Sequence, residues 1–283
     1  MLRQKEFGSR LPSALIDERL KNRLYRSKLI IFLDYDGTLA PIVNSPSEAI
    51  LPLETRMVLK DLSTLCPVSI LSGRDINEVK QMVRLRNIMY AGSHGFDISG
   101  WKRRPLSKGN WDRFLPFLHL AEEKLRRELR YLPEVRVERK KFAVTVHYRK
   151  ARRSDVPIMK RRFNQIASQF TLLRRTTGKQ VLELLPNIDW NKGRALQYLI
   201  KVQDGKPKYL PVFIGDDLTD EEAFRVIKRN GVGILVGRTN RATYARYSLR
   251  DYVEVRSFLE LVISTLRINS SRNGTSGLKR LSR

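Results

Sequence analysis

The sequence predicts an α/β protein, a doubly wound parallel sheet with an inserted α+β module. Three observations lead there. Leu29-Ile30-Ile31-Phe32-Leu33 is an unbroken apolar run, the pattern of a central strand covered on both faces. Strand, polar loop and helix then alternate through Ala91 and again from Trp190. Between them the pattern changes to charged helices and strands of period two, a stretch of roughly 80 residues and so within the size of a small domain.

Residues 11–26, with Leu11, Leu15, Leu20 and Leu24 among many charges, predict an amphipathic leader helix. The first strand ends in Asp34, and 41–52 reads as irregular. Leu53, Met57, Val58, Leu62 and Leu65 mark one face of a helix that Pro67 stops. Val68-Ser69-Ile70-Leu71 is a second strand, and Ser72-Gly73-Arg74-Asp75 at its end opens a helix through Met82. Ile88-Met89-Tyr90-Ala91 is a third strand, ending in Gly92-Ser93-His94-Gly95.

The inserted module reads as a helix over 111–129, strands at 135–137 and 142–148, a helix over 156–170, and strands at 172–173 and 181–184. Asn191-Lys192-Gly193 opens a helix through Ile200. Val212-Phe213-Ile214 makes a strand ending in Gly215-Asp216-Asp217-Leu218-Thr219-Asp220, and Thr219 and Glu222 have capping-box spacing. Strands are expected at 231–236 and 252–255, with a closing helix over 258–266. The Ser/Gly/Arg-rich stretch 269–283 is expected to be disordered. There are no internal repeats.

The chain of 283 residues holds enough apolar material for a full core. No apolar stretch approaches a membrane helix, and 1–10 has no signal-peptide core. The lone Cys66 cannot form an intramolecular disulfide, which points to a reducing cytoplasm. The net charge is +26, and residues 101–180 hold 23 basic against 7 acidic residues. Such a field suits an anionic partner. The basic residues are dispersed rather than interleaved with Phe and Tyr, so a stacking platform for nucleic acid is disfavoured. A solvated basic face or a phosphate-bearing substrate fits better.

Four polar loops follow strands or open helices where a parallel sheet gathers them at one edge. They lie around Asp34/Asp36, Ser72, Lys192 and Asp216/Asp217/Asp220. Carboxylates from two distant loops suit a Mg²⁺ site that offsets the charge of a phosphate. Lys192 can hold a nucleophile and phosphoryl oxygens, Ser72 can donate to the same oxygens, and Asp34 can attack phosphorus. Asp36 can protonate the leaving alcohol and later activate water. Each part has a plainer reading: an Asp/Gly turn, a helix-start serine, a solvated lysine. The acidic cluster is the hardest to explain plainly, since crowded acids need a cation or solvent.

Several words carry a resemblance: Asp34-Tyr35-Asp36-Gly37-Thr38-Leu39-Ala40-Pro41-Ile42, Leu71-Ser72-Gly73-Arg74, Ala91-Gly92-Ser93-His94-Gly95, Val144-Thr145-Val146-His147-Tyr148-Arg149, Leu182-Glu183-Leu184-Leu185-Pro186, Trp190-Asn191-Lys192-Gly193, and Ile214-Gly215-Asp216-Asp217-Leu218-Thr219-Asp220-Glu221-Glu222-Ala223-Phe224. Over roughly 29–266 the chain resembles the haloacid dehalogenase superfamily, and within it the trehalose-6-phosphate phosphatases. The resemblance implies a Rossmann-like core over 28–99 and 187–268 and a C2-type cap over 100–186, with a leader at 1–27 and a basic tail at 269–283. It implies Asp34 as nucleophile and Asp36 as acid/base. Mg²⁺ would be held by Asp34, the Asp36 carbonyl and Asp216, with Asp217 or Asp220 assisting. Sugar contacts would come from His147, Arg149, Lys179 and Glu183 of the cap and from His94 on the core, with Gly73, Arg74 and Gly95 nearby. The implied reaction is hydrolysis of trehalose 6-phosphate by a cytoplasmic monomer with no membrane partner. A phosphatase of a sucrose- or mannosyl-type phosphate is the alternative, and an idle nucleic-acid-binding module a more distant one. The high cap charge and the basic tail depart from the family pattern, and no synthase-like domain accompanies the phosphatase.

Overall fold

The computed structural model describes residues 11–43, 48–99, 111–178, 180–203, 209–238 and 242–278. A seven-stranded sheet is built from β1 (Leu29–Leu33), β2 (Val68–Leu71), β3 (Met89–Gly92), β4 (Asp97–Ser99), β9 (Leu210–Gly215), β10 (Val232–Val236) and β11 (Tyr247–Leu249), in the order β11-β10-β9-β1-β2-β3-β4. All neighbours are parallel except β3 and β4. A separate antiparallel sheet contains β5 (Arg136–Lys140), β6 (Ala143–His147), β7 (Leu173–Gly178) and β8 (Val181–Pro186), in the order β5-β6-β8-β7.

β1 is apolar at every position because both of its faces are covered. Leu29, Ile31 and Leu33 pack into one layer with α1 (Glu18–Tyr25), α2 (Leu53–Leu65), α3 (Ile76–Val83) and α8 (Tyr252–Leu278). Ile30 and Phe32 pack into the other with α6 (Lys192–Gln203) and α7 (Glu221–Ile227). Each of these side chains is at most 1% exposed, and burying one contributes about 1.5–3 kcal/mol before entropy is set against it. Leu33 stands beside Ile70 of β2 and Ile214 of β9. That register brings the loops after β1, β2 and β9 to one edge.

The second sheet keeps its period of two. Val144 and Val146 of β6 and Leu182 and Leu184 of β8 pack against α4 (Leu115–Leu129) and α5 (Asp155–Ala167). Thr145 and Glu183, intervening in those strands, point to the opposite face, where they are directly opposite each other in the pairing.

Several boundaries differ from expectation, each for a local reason. The leader helix spans only Glu18–Tyr25 because Asp17 caps it, its carboxylate accepting from Leu20 N at 2.7 Å. Ahead of it, Ala14 N donates to Ser248 O and Ser248 N to Pro12 O, so the chain adds to the sheet edge at β11. In α2 the buried residues are Thr55, Leu59 and Leu62, while Leu53 and Met57 are exposed. The same helical spacing starts equally well at 55, where the small threonine buries. Residues 252–255 are helix rather than strand, since the Asp251 carboxylate accepts from Val253 N and Glu254 N at 2.9 and 3.0 Å. This cap outweighs the β-branched pattern of Val253 and Val255. α8 runs through Leu278, over residues expected to be disordered, and 279–283 lie outside the described residues. β4 and β11 were not expected at all, and β5 and β7 run on to Lys140 and Gly178, past the expected ends at 137 and 173.

Candidate active site

Asp34 leaves β1 with its backbone still in the ladder, its N donating to Ile214 O at 2.9 Å. Asn191 opens α6, its side chain accepting from Arg194 N at 2.9 Å, and this sets Lys192 at the first turn. Lys192 Nζ donates to Asp34 Oδ1 at 2.8 Å and to Asp220 Oδ1 at 2.7 Å. All three side chains are buried. Burial alone would lower the lysine, but Asp220 and Asp34 outweigh it and hold Lys192 protonated. Burial pushes the Asp34 carboxyl up; Lys192 opposes this, and Asp220 and Asp216 reinforce it. The two directions agree physically, because the ammonium serves two carboxylates while Asp34 sees two others of its own sign.

The other Asp220 oxygen accepts from Asp216 N at 3.0 Å and Asp217 N at 2.9 Å. Asp217 caps the short turn that follows, accepting from Leu218 N at 2.6 Å. The capping box is therefore Asp217 with Asp220 rather than Thr219 with Glu222. The reason is that the first turn is 3-10 and begins at Leu218, before the α-helix.

Among the described residues, Asp34, Asp216 and Asp220 each bring one oxygen within 4.8 Å of the others. Three carboxylates gathered this closely, with an ammonium bonded to only two of them, favour a hard divalent cation, and their all-oxygen donor set suits Mg²⁺. The loop after β1 is shaped to the same purpose. Gly37 has φ +81°, and a Cβ there would lie 2.4 Å from Asp216 Oδ2, so a side chain would displace that carboxylate. The Asp36 and Asp217 carboxylates stand outside the triple.

Asp36 faces Arg74 instead. Arg74 Nε and Nη2 donate to the two Asp36 oxygens at 2.7 Å each, and Nη1 donates to Glu78. Ser72 is 1% exposed, and its hydroxyl accepts from Arg74 N at 3.1 Å. Gly95 is buried against α6, where a Cβ would lie 2.2 Å from that of Ala195, and it does not line the cleft.

A cleft of about 770 Å³ opens between these loops and the polar face of the second sheet, lined by Gly73, Arg74, His94, His147, Arg149 and Glu183 among others. Glu183 is 5% exposed and already engaged. It accepts from Thr145 Oγ1 at 2.7 Å and Lys140 Nζ at 3.2 Å, and lies 3.0 Å from His94 Nε2. Lys140 also donates to Gly73 O at 3.1 Å. The two units thus meet in a buried polar cluster. His147 Nε2 pairs with Glu138 at 2.6 Å, and Arg149 Nη1 donates to Val43 O at 2.5 Å. Lys179 lies outside the described residues.

Lys140 and Glu138 were missed from the sequence. The available signal was Arg136, Glu138 and Lys140 at a spacing of two, which puts three charges on one face of β5.

Burial acts to raise the Glu183 carboxyl, but Lys140, His94 and Thr145 outweigh it and hold it well below the usual range. A depressed carboxyl adds stability above its unfolded value of about 4.3, lost as pH falls through the folded value. Glu183→Gln should therefore melt lower than wild type at pH 7, with the gap closing as pH is lowered from 5 to 3. A gap independent of pH in thermal melts would show that the carboxylate charge is not what holds the cluster.

A family model described as trehalose-phosphatase matches residues 32–252. A rice (Oryza sativa subsp. japonica) protein described as a probable trehalose-phosphate phosphatase 2 is 38% identical over 278 residues, covering 89% of this chain and 73% of that protein. Trehalose-phosphate phosphatase B of Arabidopsis thaliana is 36% identical over 271 residues, covering 91% of this chain and 72% of that one. Among solved structures, a trehalose-6-phosphate phosphatase related protein superposes with a TM-score of 0.73 at 28% identity, over 83% of this chain and 97% of that one.

Proposed function

The chain belongs to the trehalose-phosphatase family, and from that we propose that it hydrolyses trehalose 6-phosphate to trehalose and phosphate through a phosphoryl group carried on Asp34. The observation that carries the mechanism is Lys192 held between Asp34 and Asp220 at the foot of the cleft. Lys192 orients Asp34 and opposes, without cancelling, the burial and neighbouring carboxylates that raise it. Asp34 Oδ attacks phosphorus, and the bond to the sugar oxygen breaks with its electron pair going to that oxygen. Asp36 supplies the proton the leaving oxygen takes, then accepts one from the water that cleaves the phosphoaspartate. Ser72, buried behind Gly73 and Arg74 and outside the cleft lining, is proposed to donate to the phosphoryl oxygens. Mg²⁺ held by Asp34, Asp216 and the backbone near Asp36, with Asp220 shaping the loop, would offset the phosphate charge.

The core comprises 28–99 and 187–268, and 100–186 is a C2-type cap. Its polar face, with His147, Arg149 and Glu183, reads the sugar together with His94, and Lys179 is a further candidate for sugar contact from its place in the sequence. Because Glu183 is bonded to Lys140, Thr145 and His94, its part in sugar recognition includes holding those neighbours. We place the enzyme in the cytoplasm as a monomer, where Cys66, buried and with its thiol pushed up to about 12, stays protonated. No helix among the described residues is long and apolar enough to cross a membrane.

The test is phosphate release across a panel of sugar phosphates, with and without Mg²⁺. Trehalose 6-phosphate should be the preferred substrate, chelation should stop turnover, and Mg²⁺ should restore it. Mg²⁺ should also raise the melting temperature of the wild type and much less that of Asp216→Asn, since binding to the folded state stabilises it. Preference for a sucrose- or mannosyl-type phosphate would move the substrate assignment. Full activity after verified metal removal would end the Mg²⁺ assignment.

A further inference from the structure

Arg74 is more firmly held than a residue that merely waits for substrate. It is 7% exposed, and its guanidinium makes a forked bond to both oxygens of Asp36, whose side chain is 43% exposed. A second carboxylate, Glu78, pairs with Nη1, and Cζ lies 5.6 Å from the centre of the Tyr35 ring. Tyr35 is fully buried and donates its hydroxyl to Ala49 O at 2.7 Å, so the ring is itself fixed. An exposed ion pair of two long side chains fixes little. A planar fork braced on one side by a carboxylate and on the other by an aromatic ring sets the plane of the carboxylate it holds.

The same loop touches the cap. Lys140 donates to Gly73 O, the residue before Arg74, and the His94 ring packs on Gly73 so closely that a Cβ there would lie 2.9 Å from Cε1 and push the ring aside. The position of the Arg74 backbone is therefore set partly by the core and partly by the cap sheet.

We propose that Arg74 is the positioning residue for proton transfer by Asp36, and that the cap fixes its position through the contact of Lys140 with Gly73. The assignment rests on Asp36 acting as the acid in the reaction above. In the first half-reaction the phosphorus–oxygen bond breaks, its electron pair goes to the leaving oxygen, and the proton passes from the Asp36 carboxyl to that oxygen. The carboxylate left behind is the form a guanidinium fork accommodates, and it takes a proton from water in the second half-reaction. Arg74 touches neither phosphorus nor the leaving oxygen in this scheme; it acts through Asp36.

The readout is the dependence of kcat/KM on the leaving group, because kcat/KM covers the steps up to phosphorylation of the enzyme. Substituted phenyl phosphates from p-nitrophenyl to unsubstituted phenyl share a shape and offer no sugar hydroxyls, so sugar recognition does not enter. Phenol needs the proton far more than p-nitrophenol does. In R74Q, phenyl phosphate should fall at least about 10-fold further than p-nitrophenyl phosphate, within the 10²–10⁴-fold that positioned proton transfer supplies, and R74K should lie between R74Q and wild type. An equal fall across the series, or no change at all, overturns the assignment. If R74Q melts too low to assay, the slope for R74K decides alone, steeper than wild type for the proposal and parallel against it. A wild type that releases phosphate neither from this series nor from trehalose 6-phosphate registers separately, as failure of the phosphatase reading, and the Arg74 assignment falls with it.

Discussion

Asp34→Asn should lower turnover by at least about 10⁴-fold, the scale seen when a nucleophile acting with its partners is removed, and should leave the protein more stable than wild type. The amide is nearly isosteric and its oxygen can still accept from Lys192, so the local packing is kept. It lacks the charge that burial and the neighbouring Asp220 and Asp216 make unfavourable at this site. The sign follows from linkage: an acid whose folded value is raised holds its proton more tightly when folded, so the penalty on the fold builds as pH rises above the unfolded value of about 3.9 and is complete above the folded value. Neutralising the group removes the penalty. At neutral pH the melting temperature should rise, by roughly 2–4 °C for each kcal/mol relieved in a protein of this size. Loss of activity with a lower melting temperature would mean that Asp34 is a structural partner of Lys192; retention of more than a few per cent of activity would end its role as nucleophile.

Lys192→Met should be the opposite in stability and similar in activity. Removing the ammonium leaves Asp34 and Asp220 buried near each other without the cation that joined them. Breaking a buried pair by deleting one partner costs about 3–5 kcal/mol, which corresponds to a fall of roughly 10 °C or more. Turnover should fall by at least about 10³-fold, since the attacking carboxylate loses both its charge partner and its orientation. Adding Asp34→Asn to this variant should recover part of the lost stability and none of the activity, the non-additivity expected of groups in contact. A Lys192→Met protein that melts within 2 °C of wild type would show that the lysine does not compensate those carboxylates.

The parts of this molecule that were legible in the sequence are those encoded locally. The apolar run 29–33, strands β2, β3, β6, β8, β9 and β10, whose ends fall within two residues of the expected ones, and the four polar loops that follow strands or open helices all depend on neighbours within a few positions. What was not legible is the choice among distant partners. Nothing near Asp36 says that its carboxylate lies in the fork of Arg74, 38 positions on. Nothing near Glu183 in sequence shows that its carboxylate is already engaged, because Thr145, Lys140 and His94 come to it from three other strands and loops. Gly95 was grouped with the residues beside it in sequence, whereas its conformation, φ +91°, and its packing on Ala195 give it a separate task. At 252–255 the β-branched residues were visible and the Asp251 cap that overrides them was overlooked.

The strand order has a consequence for how the protein is made. β1 is flanked by β2, which follows it closely, and by β9, which begins about 180 residues later. On a ribosome adding roughly 5–20 residues per second, β1 waits some 10 to 35 seconds for that second neighbour. Throughout that interval the nascent chain carries half a sheet whose open edge is wholly apolar, the kind of edge that invites pairing with another chain. The cap has no such wait, since its four strands emerge consecutively between 136 and 186. Lys192 emerges after the cap, and Asp216 and Asp220 only with the strand that closes the edge. Chains released early therefore present a finished cap on a sticky half-core with no reaction centre, and production of the whole enzyme should depend on chaperones that shield that edge.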